Sequence, residues 1–240
     1  MIMQIRKLFV LAALTLCSLA SSAQITLSPM YDAKESKATE GQKAIVEARL
    51  RSVITSMKLV SGYNSRFVLA CKTVPLQTEV AGTKMAQRIS ATFAVGDART
   101  KSCFGTSIVE FTGIGNTEEQ ALTNALKNIK NSPQLRKLVD KSKQRIIDYY
   151  NNNAASIIRK AQTLINGKQY EHALFELCAI PEDCNLYEQA LEMMEKVYET
   201  AYGDESVQLN RKELGAACRK LADEYATNNC PESDCSLGWW

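Results

Sequence analysis

The sequence predicts an α+β fold: a small antiparallel sheet covered by helices, followed by an all-α domain of tetratricopeptide-like helical hairpins. Three observations point there. Residues 86–97 set Ile89, Ala91, Phe93 and Val95 against Arg88, Ser90, Thr92 and Ala94, the alternation of a strand with one wet face. Residues 105–129 read as a strand, a two-glycine turn and a helix joined without slack. From residue 132 onward the apolar residues recur at helical spacing.

Residues 1–23 make the first unit. Arg6 and Lys7 precede an apolar run over residues 8–20, and Ser21-Ser22-Ala23 supplies small residues for cleavage, which is the make-up of a secretory signal peptide. The run is shorter than the roughly 20 residues that span a bilayer, and no later stretch could span one. Cys17 follows the bulky Leu16, where lipoprotein processing uses a small residue, so a soluble exported chain beginning near Gln24 is expected. A glutamine at that place resembles secreted proteins of the Bacteroidetes, which implies the periplasm or outer envelope of a Gram-negative bacterium.

The 217 residues after the leader suffice for one large or two small domains with a real core. Their 27 basic and 26 acidic residues nearly cancel, but unevenly: residues 24–170 hold 22 basic and 11 acidic, and residues 171–240 hold 5 and 15. In an exported chain that asymmetry implies attraction between the halves, or to an anionic envelope surface, rather than nucleic-acid binding. Solvated faces without a partner are the alternative.

Residues 24–39 form a polar N-terminal segment that reads as loose. Residues 41–59 then carry Ala44, Ile45, Ala48, Leu50, Val53, Ile54 and Met57 as the apolar stripe of a helix. Residues 67–74 make an apolar run without alternation, a buried strand, and residues 75–82 read as a loop. The wet-faced strand over 86–97 follows, residues 96–100 turn the chain back, and Ile108, Val109 and Phe111 mark the next strand. Gly113 and Gly115 form the turn that ends it, and Asn116 or Thr117 caps the helix carrying Ala121, Leu122, Ala125, Leu126 and Ile129.

A phosphate cradle at Gly113-Ile114-Gly115 is disfavoured. The third glycine of a dinucleotide fingerprint would fall at Glu118, and Glu118 with Glu119 places two carboxylates where a phosphate would sit. The hairpin over residues 89–111, the link Gly96-Asp97-Ala98-Arg99-Thr100 and the G-x-G followed by an acidic, alanine-rich helix instead resemble the small envelope domain shared by the TolB amino-terminal domain, CsgG-type export lipoproteins and the flagellar assembly protein FlgT. The resemblance covers about residues 40–131 and implies a noncatalytic assembly or binding domain at a bacterial envelope.

Ser132 and Pro133 suit a helix cap and a first helical position, opening a second domain at 132–227. Leu135, Leu138, Val139, Ser142, Ile146, Tyr149 and Tyr150 give one stripe; Ala154, Ile157, Ile158, Ala161, Leu164 and Ile165 continue it beyond Asn151-Asn152-Asn153, which kinks or interrupts one long helix. Residues 167–181 resemble the turn and second helix of a tetratricopeptide hairpin. Two further helices are read around Tyr187 to Tyr198 and Leu209 to Tyr225, and residues 228–240 form a tail with cysteines and tryptophans.

Seven cysteines follow the leader, an odd number, and spacing alone does not fix their pairing. The expected local disulfides are Cys71 with Cys103, Cys178 with Cys184, and Cys230 with Cys235. The spacings C-x5-C and C-x4-C and the solitary His172 do not fit a zinc site, and no C-x-x-C is present for redox work. His172 lacks a neighbouring serine or cysteine to activate. The reading is therefore an exported, noncatalytic binding or assembly adaptor without cofactor or metal, whose helical hairpins meet an envelope protein through Tyr170, Tyr187, Tyr198, Trp239 and Trp240. A thiol-redox or other envelope enzyme, and a structural subunit of a surface assembly, are the alternatives, and the oligomeric state is left open.

Overall fold

The alternating segment is the strand β3 (Lys84–Asp97), and its neighbours flank it in antiparallel register. β2 (Phe67–Ala81) sets Leu69 opposite Val95 and Cys71 opposite Phe93; β4 (Ser102–Gly115) sets Ser107 opposite Phe93 and Phe111 opposite Ile89. The structure, a computed structural model, describes residues 25–59, 61, 66–203 and 210–229. Four strands and six helices lie within those residues. The expected leader over 1–23 lies outside them, as do Cys230, Cys235, Trp239 and Trp240 of the tail.

Three local expectations are corrected. The segment 24–39 contains a strand, β1 (Leu27–Tyr31), which runs parallel to β2, so the sheet is mixed with the order β1-β2-β3-β4. Leu27 and Tyr31 point into the core, and Tyr31 Oη shares a 2.6 Å hydrogen bond with Thr73 Oγ1. The expected loop over 75–82 instead prolongs β2. Pro75 lacks an N–H, but β1 ends opposite Cys71, so the missing donor falls on an open edge, and the register slips between Pro75 and Thr78. Gly82, at φ 62°, then closes a two-residue hairpin to Lys84.

The third correction concerns Gly113 and Gly115, which lie inside β4 rather than in the turn. A Cβ on Gly113 would sit 2.0 Å from Ala125 N, and one on Gly115 2.5 Å from Ala121 N, because helix α2 (Glu118–Lys127) rests directly on the strand backbone. The turn itself is Asn116 and Thr117. Thr117 Oγ1 accepts from Gln120 N at 3.2 Å, and Gln120 Oε1 accepts from Asn116 N at 2.7 Å, which closes the first turn from both sides.

Helix α1 (Glu40–Ser56) begins at Thr39 with a complete capping box: Thr39 Oγ1 accepts from Gln42 N, and Gln42 Oε1 accepts from Thr39 N. Helix α3 (Pro133–Asn166) is capped by Ser132 and passes through all three asparagines as one helix of 34 residues. Val46, Leu50 and Ile54 of α1, Ala125 and Leu126 of α2, and Leu135, Val139 and Ile146 of α3 cover the sheet face that bears Leu69, Cys71, Ile89, Ala91 and Phe93. Burying each large side chain contributes about 1.5–3 kcal/mol. The other face shows Arg88, Ile108, Glu110 and Ile114 to solvent.

Gly167 closes α3, Lys168 at φ 56° reverses the chain, and α4 (Tyr170–Leu177), α5 (Tyr187–Tyr202) and α6 (Arg211–Asn229) follow. Their inward residues, among them Leu174, Leu177, Leu191, Met194, Val197, Leu214 and Cys218, join one continuous core with the sheet. The second half of α3 links the two regions, with Ala154, Ile158 and Ala161 buried.

Candidate functional site

A cleft of about 490 Å³ opens where the start of α4 faces the end of α5 and the C-terminal part of α6. Lys168, Tyr170, Glu171, His172, Tyr202 and Tyr225 line it. Lys168 comes from the turn before α4, and Tyr202 and Tyr225 are placed by helical spacing. Tyr202 lies one turn beyond the buried Tyr198, and their rings meet at 5.1 Å; Tyr225 lies one turn beyond Leu221 and two beyond the buried Cys218. The His172 ring stacks on Tyr225 at 5.3 Å and 17°, and Phe175 meets Tyr225 at 5.3 Å from below.

The wall is fixed from the sheet. Asp97, fully buried at the end of β3, accepts hydrogen bonds on Oδ1 from Arg99 N at 2.9 Å and Thr100 N at 3.3 Å, and so shapes the turn into β4. That turn carries Arg99, whose guanidinium lies 4.1 Å above the Phe175 ring, a cation–π contact. On its other oxygen Asp97 accepts from Arg66 Nε at 2.7 Å and Tyr150 Oη at 2.5 Å. One carboxylate thus ties β3, the Arg66 segment, α3 and, through Arg99, the cleft.

Burial raises the Tyr202 hydroxyl above the usual tyrosine value, and the Glu171 and Glu224 carboxylates nearby add to the rise. His172 Nε2 lies 3.5 Å from Glu176 Oε1, which also accepts from Lys160 Nζ at 2.8 Å. Those partners hold the imidazole as part of the wall. Among the described residues no group of three or more His, Cys, Asp or Glu side chains is placed to hold a metal ion.

Of the tyrosines expected at a partner, Tyr170 faces the cleft. Tyr198 does not: it is 9% exposed and forms the layer under Tyr202, because its position on α5 belongs to the core stripe. Tyr187 is half-buried, its hydroxyl bonded to the Arg219 guanidinium, which pairs with Glu182 at 2.9 Å. Trp239 and Trp240 lie outside the described residues. Sequence reasoning missed Tyr202 as a site residue and placed Tyr225 only on a helix stripe; their clustering needs α4, α5 and α6 to converge, and only the i, i+4 spacing of Tyr198 and Tyr202 hinted at it.

The expected disulfides do not form among the described cysteines. Cys71 on β2 and Cys103 on β4 are separated by the whole of β3, so their α-carbons lie roughly 10 Å apart or more, beyond the reach of a bridge of about 4.4–6.8 Å. Cys178 turns its sulfur to Met194 Sδ at 3.4 Å, whereas Cys184 turns toward Ile147 O on α3, so the short link between them carries the thiols to different helices. The pairing of Cys230 with Cys235 lies outside the described residues. Burial pushes the thiols of Cys184 and Cys218 up to about 11, and that of Cys71 higher still.

No family model matches the sequence, and no curated protein matches it. Among solved structures, the chain is similar to a minor lipoprotein from Acinetobacter baumannii at 20% identity, over 50% of this chain and 94% of that one, with a TM-score of 0.34. It is also similar to a lipoprotein from Caulobacter crescentus at 9% identity, over 51% of this chain and 90% of that one, with a TM-score of 0.31. A Xanthomonas campestris protein of family DUF330 matches at 12% identity over 51% of this chain and 86% of that one, with a TM-score of 0.33. No described helix is long and apolar enough to cross a membrane.

Proposed function

We propose that the chain is a noncatalytic adaptor of the bacterial cell envelope, exported by its leader, which receives a segment of a protein partner in the cleft between α4, α5 and α6. The single observation that carries this is the cleft itself, walled by Tyr170, His172, Tyr202 and Tyr225. Aromatic side chains with few rotamers give contact area at low entropic cost and supply most of the affinity at protein interfaces. The helical hairpins of tetratricopeptide-like kind that build it make a rigid concave frame.

Charge supports a basic segment as the guest. Residues 171–240 hold 15 acidic and 5 basic residues, and Glu171 and Glu224 stand beside Tyr202. Catalysis is not supported by the same geometry. His172 is engaged by Phe175, Glu176 and Tyr225, and a base needs a nucleophile or a substrate proton within reach to do chemistry.

The test is a photo-crosslinking residue at Ala201 in intact cells, followed by mass spectrometry. A discrete envelope partner joined at that position is the expected result. Recovery of the chain alone, in cells where known envelope complexes do crosslink, would sink the adaptor.

A further inference from the structure

The two edges of the sheet are built differently. On one edge, β1 carries Pro29, and the exposed part of β2 carries Pro75 and a register slip at Pro75 and Thr78, devices that block pairing with another strand. The other edge is β4, which has no strand neighbour beyond β3 among the described residues.

Side chains from the helices cap part of it. Asn124 Nδ2 donates to Ile114 O at 2.8 Å and Asn128 Nδ2 to Thr112 O at 2.7 Å, while Arg145 Nη1 donates to Phe104 O at 2.8 Å. Backbone groups of an antiparallel strand face alternate sides, so the contacts at Thr112 and Ile114 set the even-numbered residues from Thr106 to Ile114 as the outward ones; Phe104 lies at the register slip opposite Val95 and Gly96. Between the caps lie Thr106, Ile108 and Glu110, all exposed, without proline or lysine. Ile108 is 64% exposed.

We infer that this window pairs with the same window of a second copy, antiparallel about a two-fold axis at Ile108, giving an isologous dimer with a continuous eight-stranded sheet. The window is self-complementary. Thr106 and Glu110 each lie two residues from Ile108, so the axis sets the three open positions against one another. Ile108 exchanges both main-chain hydrogen bonds with its mate, and Thr106 exchanges both with Glu110 in each direction. The alternative axis at Glu110 would set two carboxylates face to face, which is unfavourable. Such an interface closes after two copies and makes no filament.

The experiment uses the chain without its leader, in a Cys103→Ser background because Cys103 is exposed. Sedimentation should show a concentration-dependent dimer. Ile108→Cys should form an intermolecular disulfide on mild oxidation, since directly opposed, hydrogen-bonded strand residues lie about 5.5 Å apart, within disulfide range. Thr112→Cys should crosslink at least tenfold more slowly, because the axis leaves the two copies of that position roughly 27 Å apart. Amide exchange at Thr106, Ile108 and Glu110 in the unsubstituted chain should slow as concentration rises. A monomer at all concentrations with unchanged exchange overturns the proposal. So does a dimer in which Thr112→Cys crosslinks as fast as Ile108→Cys, species that grow beyond two copies, or protection of the window only by a different protein.

Discussion

Tyr150, in the middle of α3, donates a 2.5 Å hydrogen bond to the fully buried Asp97 at the end of β3, and the Arg66 guanidinium completes the knot at 2.7 Å. The contact joins residues 53 apart and fastens the sheet to α3, against which α4 of the cleft packs. Removing Asp97 leaves four donors without their acceptor: the buried Tyr150 hydroxyl, the largely buried Arg66 guanidinium, and the Arg99 and Thr100 amides. Asp97→Ala should therefore cost about 3–5 kcal/mol, whereas Tyr150→Phe removes one donor to a carboxylate and should cost about 1.5–3 kcal/mol. Urea unfolding of both variants measures this. Equal, small losses would show that the knot is not what fastens the two parts.

Gly113→Ala and Gly115→Ala test whether α2 lies as close to β4 as the geometry requires. A methyl at Gly113 would meet the backbone of Ala121 and Ala125 at about 2 Å, and backbone cannot swing aside as a side chain can. Each change should cost about 1–3 kcal/mol or more, the range for overpacking. Gly105→Ala meets Ser142 Oγ at 2.8 Å instead, a side chain able to rotate, and should cost less. Thermal melts rank the three.

These glycines also show what was legible in the sequence and what was not. A G-x-G before an acidic cap read as a turn because glycine serves both turns and close approaches, and only the packing of α2 distinguishes them. Pro75 read as a loop for a similar reason: proline excludes a central strand, yet it is harmless where β1 has ended. The five residues of β1 carry too few inward positions to announce a strand among serine and proline. What the sequence carried clearly was periodic or local: the alternation of β3, the stripe of α3 and the Ser132 cap all sit where local pattern put them, whereas the Thr39 capping box fell in a segment read as loose. The cleft depends on three helices meeting, and pattern within one helix does not encode that.

The thiols give a pH-dependent prediction. In the fold, burial raises Cys184 and Cys218 to about 11, while an unfolded cysteine titrates near about 8.5. Between those values the unfolded chain has lost protons that the folded chain keeps, so raising the pH favours unfolding. The stabilisation these groups give is complete below pH about 8.5 and is lost as pH climbs through about 11. Urea midpoints should fall over that window, and Cys184→Ala with Cys218→Ala should flatten the fall.

The same burial separates the adaptor from the thiol-redox alternative. At pH 7.5 a maleimide should label the exposed Cys103 rapidly and leave Cys71 and Cys218 unlabelled until the chain unfolds, as peptide mass spectrometry can resolve site by site. A Cys218 that reacts in the native chain as fast as Cys103 would favour the redox alternative over the adaptor.

The cleft prediction distinguishes surface from support. Tyr170 and Tyr202 face the cleft, whereas Tyr198 lies beneath Tyr202 and is nearly covered. If the aromatic wall holds the partner, Tyr170→Ala and Tyr202→Ala should each weaken capture at the Ala201 crosslinker about tenfold or more, equivalent to about 1.4 kcal/mol or more. Tyr198→Phe keeps the supporting ring and should leave capture unchanged. Because residues 171–240 carry 15 acidic against 5 basic residues, higher salt should slow association of a basic segment without altering the fold. Capture that survives both alanine changes would place the partner on another surface, and capture insensitive to salt would remove the basic guest while leaving the cleft.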